Sequence, residues 1–199
     1  VSSLLLSGTK DKTSVQIHEE LDFLGVYVEH EISMEIAFVN IYCLRKNALK
    51  ALEIVSDAIE NVIFSENEIE DMLQEKKQRF LVSNQKVNFL ARKEFQKQLF
   101  SGSGNYSRQL ELEDFESVSR IDLIDFHQKE YLNGLVKIVL VGDVDQETLT
   151  YLEDRFSVWI IKEQTHFLKQ LTTEKGIFHV PKEGALQTAI RLGFSLFNK

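Results

Sequence analysis

Hydrophobic positions change their period several times along this chain, and each change marks an element. Ile17, Leu21 and Leu24, preceded by Val15 and by a Thr13 and Gln16 capping box, recur at helical spacing and stop at Gly25, which predicts a helix from Thr13 to Leu24. Beyond Gly25 the period drops to two. The segment VYVEHEI places Val26, Val28, His30 and Ile32 on one face and Tyr27, Glu29 and Glu31 on the other, as in a half-buried strand. MEIAFVNIYCL follows as a second strand, apolar on both faces and therefore expected inside a sheet.

Helical spacing returns from Asn47 to Phe64, with Leu49, Leu52, Val55, Ile59 and Val62 as the predicted buried stripe. Ser65 with Glu68 forms another capping box and opens helical sequence through Phe100, in which the polar SNQK at 83–86 predicts a break or a bend. SGSGNYSR is a loop by composition, and Ser119 with Asp122 caps a short amphipathic helix through Tyr131. LVKIVLVGD, at 135–143, reads as a buried strand. Asp145 then starts a helix carrying Leu149, Leu152 and Phe156. A polar linker from 162 to 175 leads to a predicted strand pair, IFHV and QTAIRLGF, separated by the only proline, Pro181, and Gly184.

This order predicts an α+β fold: a mixed, largely antiparallel sheet with helices packed on one face. At 199 residues the chain is long enough to bury a substantial core. A net charge of -8 argues against nucleic acid or an anionic membrane as the main partner, since both require a concentrated basic surface. The basic run Lys76, Lys77 and Arg79 has acidic neighbours and reads as a solvated helix face. No window reaches the ~18 apolar residues of a membrane span. A single cysteine, Cys43, forbids an internal disulfide and leaves the compartment, cytoplasmic or periplasmic, open. The chain opens on VSSLLLSGT and stops straight after a strand-like run, so a fragment of a longer protein is expected. An open sheet edge in such a fragment would also favour a homodimer.

Histidine and acidic residues cluster in IHEELDFLGVYVEHEIS, but their faces diverge. On the helix His18 and Asp22 lie one turn apart while Glu19 and Glu20 point elsewhere, and in the strand Glu29 and Glu31 lie opposite His30. The cluster therefore reads as a solvated helix face and a half-buried histidine with a local hydrogen-bond partner. His127, His166 and His179 have no clustered acidic or cysteine neighbours and read as structural. Cys43 sits in an apolar strand that would raise its pKa. Gly102 and Gly104 follow a helix rather than a strand, the wrong context for a dinucleotide loop. Asp143 and Asp145 read as a turn and a helix cap.

Four segments carry a resemblance: LLLSGTKDKTSVQIHEELDFLGVYVE, FSENEIEDMLQEKKQRFL, LFSGSGNYSRQLELEDFESVSRIDLIDFHQKEYL and IVLVGDVDQETLTYLEDRFSVW. In sequence and spacing they resemble the insulinase, pitrilysin and mitochondrial processing peptidase family of zinc proteases. The family's Arg-bearing turn, Asp-Leu-x-x-Phe helix and Val-Gly-Asp strand end are matched by Asn105-Tyr106-Ser107-Arg108, Asp122 to His127, and Val141-Gly142-Asp143 with Trp159. PKEGALQTAIRLGF resembles the strand that opens the second homologous domain. The resemblance thus implies residues 1–161 as a peptidase-like N-terminal domain lacking its first strands. Residues 162–199 would then be the linker and opening strands of the next domain.

Active members of that family carry His-x-x-Glu-His on a helix before a Gly-Thr turn, with a distal Glu as third zinc ligand; the motif Glu is the general base. Aligned on Gly8-Thr9, the second His falls at Ser3 and the catalytic Glu at Ser2, with the first His upstream of Val1. Aligned on Phe64, the distal Glu falls at Gln78 to Phe80. None of these positions holds a ligand or a carboxylate. The resemblance therefore implies a non-catalytic, bacterial-type member with no catalytic residue, metal or cofactor of its own. Its expected partner is a catalytic homologous subunit or domain, the two halves enclosing a chamber for a peptide substrate. Two other readings stay open on the sequence. One is a working zinc peptidase whose motif lies upstream of Val1; the other is a structural or assembly subunit that processes no peptide.

Overall fold

The computed structural model describes residues 1–33, 36–101, 106–133, 137–157 and 175–194. The chain divides into two compact units, Val1–Met72 with Val118–Thr165 and Leu73–Ser117 with His166–Lys199. In the first, a 3-10 turn at Ser2–Leu4 precedes α1 (Ser14–Phe23), β1 (Tyr27–Ile32), β2 (Ala37–Tyr42) and α2 (Ala48–Glu60). The long α3 (Glu66–Asn84) starts in this unit and ends in the second, which also holds α4 (Val87–Leu99) and α5 (Asp114–Ser117). The first unit resumes with α6 (Arg120–Phe126), a π-helical turn at His127–Leu132, and α7 (Gln146–Phe156).

Local signals explain the helix boundaries. Thr13 and Gln16 close the expected capping box on α1, and Ser119 and Asp122 close the one on α6. Asp145 caps α7 by accepting from the Thr148 N–H at 2.9 Å. Gly25, at φ +64°, ends α1 in the left-handed conformation that glycine adopts without strain. The predicted break after Ser83 falls at Gln85 and Lys86, between α3 and α4.

The core of the first unit joins Leu6, Ile17, Leu21, Val26, Ala51, Ile54, Val55 and Ala58, with Val28, Val39 and Ile41 of the sheet packed against it. Helices thus cover one face of an antiparallel sheet, as the apolar period predicts. Val15 is exposed; of the predicted second stripe Val55 is buried and Ile59 packs against the core, whereas Leu49, Leu52 and Val62 are only half-buried and Ala51, Ile54 and Ala58 complete the buried face of α2. The small Ala51 and Ala58 let neighbouring elements approach closely, and that turns the buried face away from the bulkier leucines.

Three predicted strand arrangements need correction. β2 is not interior: among the described residues the sheet has two strands, β1 and β2, and each pairs only with the other. Residues 138–141 form no strand, and neither do 177–180 or 187–194. An apolar run becomes a strand only where a neighbour completes its ladder, and none of the described segments does so here. Val139 and Val141 are accordingly 75% and 93% exposed. Gly102, Gly104, Asn105, Trp159, His166 and nearly all of the 162–175 linker lie outside the described residues.

In the second unit, Phe80 packs on Phe115 with ring centroids 5.4 Å apart, and Lys93 reaches Glu111 at 2.9 Å. The basic run on α3 is engaged with neighbouring acids: Lys77 pairs with Glu116 at 2.9 Å and Arg79 with Glu75. Arg108 reaches Asp114 at 3.0 Å, and Tyr106 packs beside Phe100.

Candidate functional site

The turn that would carry a metal motif is tightly built. Ser2 is 1% exposed and begins the 3-10 turn, whereas Ser3 faces solvent; Leu4, Leu5 and Leu6 are buried behind them. The Ser7 hydroxyl donates to the Leu4 carbonyl at 2.7 Å. Gly8 sits at φ +127°, and a Cβ there would meet the Lys12 carbonyl oxygen at 3.2 Å, so only glycine suits the position. The Gly8 carbonyl accepts from the Ile63 N–H at 3.1 Å, tying the turn to the segment that follows α2.

That segment ends at Phe64, a buried residue held at φ +49°. Arg120 fixes it from across the chain: its Nε donates to the Phe64 carbonyl at 2.8 Å and its Nη2 to the Ile63 carbonyl at 2.9 Å. The His127 ring meets Phe64 edge-on at 5.3 Å and stacks on Tyr131 at 5.7 Å. His127 Nε2 bonds the Ile59 carbonyl at 2.8 Å, which places the proton on Nε2. Burial holds the imidazole below its ordinary pKa, only partly opposed by that bond. Burial likewise pushes the Tyr131 phenol up, and the neighbouring Ser2 hydroxyl eases its ionisation without completing a well-formed hydrogen bond.

Zinc does not suit the residues in these places. Ser2 and Ser3 supply neutral hydroxyls, one buried beside a phenol and the other turned to solvent, and Gln78 supplies an exposed amide on α3. Zinc sites draw on imidazole, thiolate and carboxylate, and a hydroxyl or amide is a poor substitute at neutral pH. Among the described residues no three His, Cys, Asp or Glu side chains group so that they could hold a metal.

The remaining candidates scatter. His18 Nδ1 meets the Ser14 carbonyl at 2.7 Å instead of Asp22. His30 faces the helices, and burial, then nearby His18, keeps it below its ordinary pKa. Among the described residues its buried Nδ1 has no hydrogen-bond partner, in contrast to the local partner that the sequence led one to expect. Cys43 lies just past the end of β2 and is exposed, with its thiol raised by partial desolvation. Asp143 pairs with Arg45 at 2.6 Å, while Asp145 serves as a cap. His179 is exposed. Arg120 and Tyr131 were not legible as members of the Ser2 cluster, because their partners lie far away in sequence.

The 3-10 turn of Ser2–Leu4 lies beside β1. The face of β1 and β2 turned away from the core presents Tyr27 opposite Tyr42, Glu29 opposite Asn40, and Glu31 opposite Phe38. The two tyrosine rings sit 5.9 Å apart. The period-two pattern identified the β1 half of this face, but the β2 half depends on register.

Comparisons with known proteins agree with this architecture. The sequence model for insulinase (peptidase family M16) matches residues 1–113, and that for the peptidase M16 inactive domain matches residues 117–199. An uncharacterized zinc protease of Rickettsia felis is 29% identical over 174 residues, and one of Rickettsia bellii 27% identical over 170. These alignments cover 83% and 82% of this chain, and in both cases 40% of the relative. A peptidase M16 inactive domain from Pseudomonas fluorescens superposes with a TM-score of 0.69 at 17% identity, over 80% of this chain and 39% of the other. A protease from Helicobacter pylori does so with a TM-score of 0.69 at 15% identity, over 87% and 42%. The fold and both sequence matches point one way: the chain belongs to the insulinase family, peptidase family M16.

Proposed function

We propose that this chain is a non-catalytic, peptidase-like part of an M16 protein that works with a catalytic homologue and forms one wall of the peptide chamber. The observation that carries this reading is Ser2. At the place where the resemblance puts the general base stands a buried hydroxyl beside Tyr131. A neutral serine cannot take a proton from water at the pH where a carboxylate does, and Ser3 cannot replace a zinc-binding imidazole. Among the described residues β1 and β2 pair only with each other, and this supports the peptide-wall role, since an extended peptide completes its backbone hydrogen bonds by adding to an open strand edge. Residues 162–199 then lead into the second homologous domain. No helix among the described residues is long and apolar enough to cross a membrane.

The test is reconstitution. The chain is titrated into its catalytic homologue, encoded beside it or on the same polypeptide, and hydrolysis of an extended fluorogenic peptide is followed. The reading predicts no hydrolysis by this chain alone and a rate that rises with its concentration to a plateau. A homologue fully active alone and unaffected by the chain contradicts the pairing. Hydrolysis by the isolated chain contradicts the non-catalytic reading.

A further inference from the structure

We infer that His127 is the bolt of an acid-sensitive latch: on taking up a second proton it leaves its pocket and frees the Ile63 and Phe64 segment and the turn of Ser2–Leu4, while the helical core stays folded. The latch does not depend on the peptide-wall reading. Three stretches of chain, distant in sequence and all in the first unit, meet at this ring. Its Nε2 donates to the Ile59 carbonyl near the end of α2 at 2.8 Å, and the ring meets Phe64 edge-on at 5.3 Å and stacks on Tyr131 of its own π-helical turn at 5.7 Å. A fourth stretch is reached through Tyr131, which lies beside Ser2. The Ile63 N–H, donating to the Gly8 carbonyl at 3.1 Å, closes the circuit between that turn and the Phe64 segment. A π-helical turn is rare, and such turns concentrate where a helix has a task besides packing.

A charged ring has little to hold it in this pocket. Among the described residues the acids on the surrounding elements are engaged elsewhere or exposed. Glu130 pairs with Lys129 and Glu60 with Arg155, each at 2.7 Å; Asp57 accepts from Asn61, Asp122 caps α6, and Asp125 and Glu66 are exposed. The charges that remain close are positive: the Val1 ammonium, and the Arg120 guanidinium on the Ile63 and Phe64 carbonyls. Tyr131 is neutral, and its ring face returns to a cation only part of the hydration lost on burial. Opening also relieves two costs of the closed state. Phe64 leaves its left-handed backbone at φ +49°, and the buried Ser2 hydroxyl, without a hydrogen-bond partner among the described residues, gains water. Burial holds the closed imidazole below its ordinary pKa, so the open state binds the proton better. The opening constant therefore rises as pH falls below about 6.5, by up to about tenfold per unit, until the closed ring itself protonates.

The experiment is amide hydrogen exchange on the full 199-residue chain at pH 7.5, 6.5 and 5.5, each rate divided by the intrinsic exchange rate at that pH to give a protection factor. The Ile63 amide and those of the π-helical turn report the latch, and the Ile54 and Val55 amides of α2 report the core. The latch amides are expected to be less protected than the core amides at every pH, and to lose about three- to tenfold in protection between pH 7.5 and 5.5. H127Q keeps a donor for the Ile59 carbonyl but takes up no proton in this range, so it should abolish that loss. H30Q, which removes the other half-buried imidazole of the first unit, should leave it in place. Protection of the latch amides that does not change with pH overturns the latch. So does protection equal to that of the core at each pH, which means that the region opens only by global unfolding, and so does a loss that persists in H127Q. If H127Q does not fold, the comparison of latch and core amides in the native chain decides alone.

Discussion

Replacing Arg120 with alanine removes the one side chain that holds both carbonyls at the end of the Ile63 and Phe64 segment. Phe64 is buried in left-handed backbone, which costs a residue with a Cβ about 1–2 kcal/mol. Something must compensate, and the guanidinium fork is placed to do so. The Nε bond is partly buried and contributes about 1.5 kcal/mol, as expected for a charged donor; the Nη2 bond is exposed, and water recovers most of it, leaving about 0.5 kcal/mol. R120A should therefore lose about 2 kcal/mol. R120K keeps the charge but cannot reach both carbonyls in a fixed fork, and should lose about 1 kcal/mol. Urea denaturation followed by far-UV circular dichroism measures the loss as a lower midpoint at unchanged slope. An unfolding free energy for R120A within about 0.5 kcal/mol of the native value, or one indistinguishable from that of R120K, would refute the assignment of Arg120 as the clamp on Phe64.

Three further outcomes follow from the same region. His127 and His30 are held neutral by burial, so the unfolded chain binds protons more readily than the folded one; stability is full above about pH 6.5 and falls as pH drops below it, at up to about 1.4 kcal/mol per pH unit for each histidine. Urea midpoints from pH 7.5 to 5.0 should show this decline, and H127Q should make it shallower. H127A, which also loses the contacts with Phe64 and Tyr131, should cost about 3 kcal/mol at pH 7.5 by the same assay. G8A forces a side chain into φ +127° against the Lys12 carbonyl and should cost about 2 kcal/mol, read as a lower melting temperature in calorimetry.

Short-range signals were easy to read because their physics is local. The capping boxes of α1 and α6, the Asp145 cap, the Gly25 stop and the break between α3 and α4 each depend on residues within a turn of one another. Elements that need a distant partner were misread. IVLV at 138–141 has every intrinsic feature of a strand, yet a strand exists only where another strand completes its hydrogen bonds. The buried face of α2 turned on alanines, whose contribution is close approach rather than hydrophobic bulk. The candidate site was legible in part. Alignment on Gly8 and Thr9 located Ser2 and Ser3, but nothing in the order of residues places Arg120, His127 and Tyr131 around that turn.

The central claim is that the positions where a zinc peptidase of this family keeps its base and ligands hold groups that cannot serve. The most direct measurement is elemental analysis of the purified chain for zinc after exhaustive dialysis, alongside peptide hydrolysis with and without a chelator. The account predicts far less than one zinc per chain and no chelator-sensitive hydrolysis. One tightly held zinc per chain, with hydrolysis lost on chelation and restored by zinc, would contradict it.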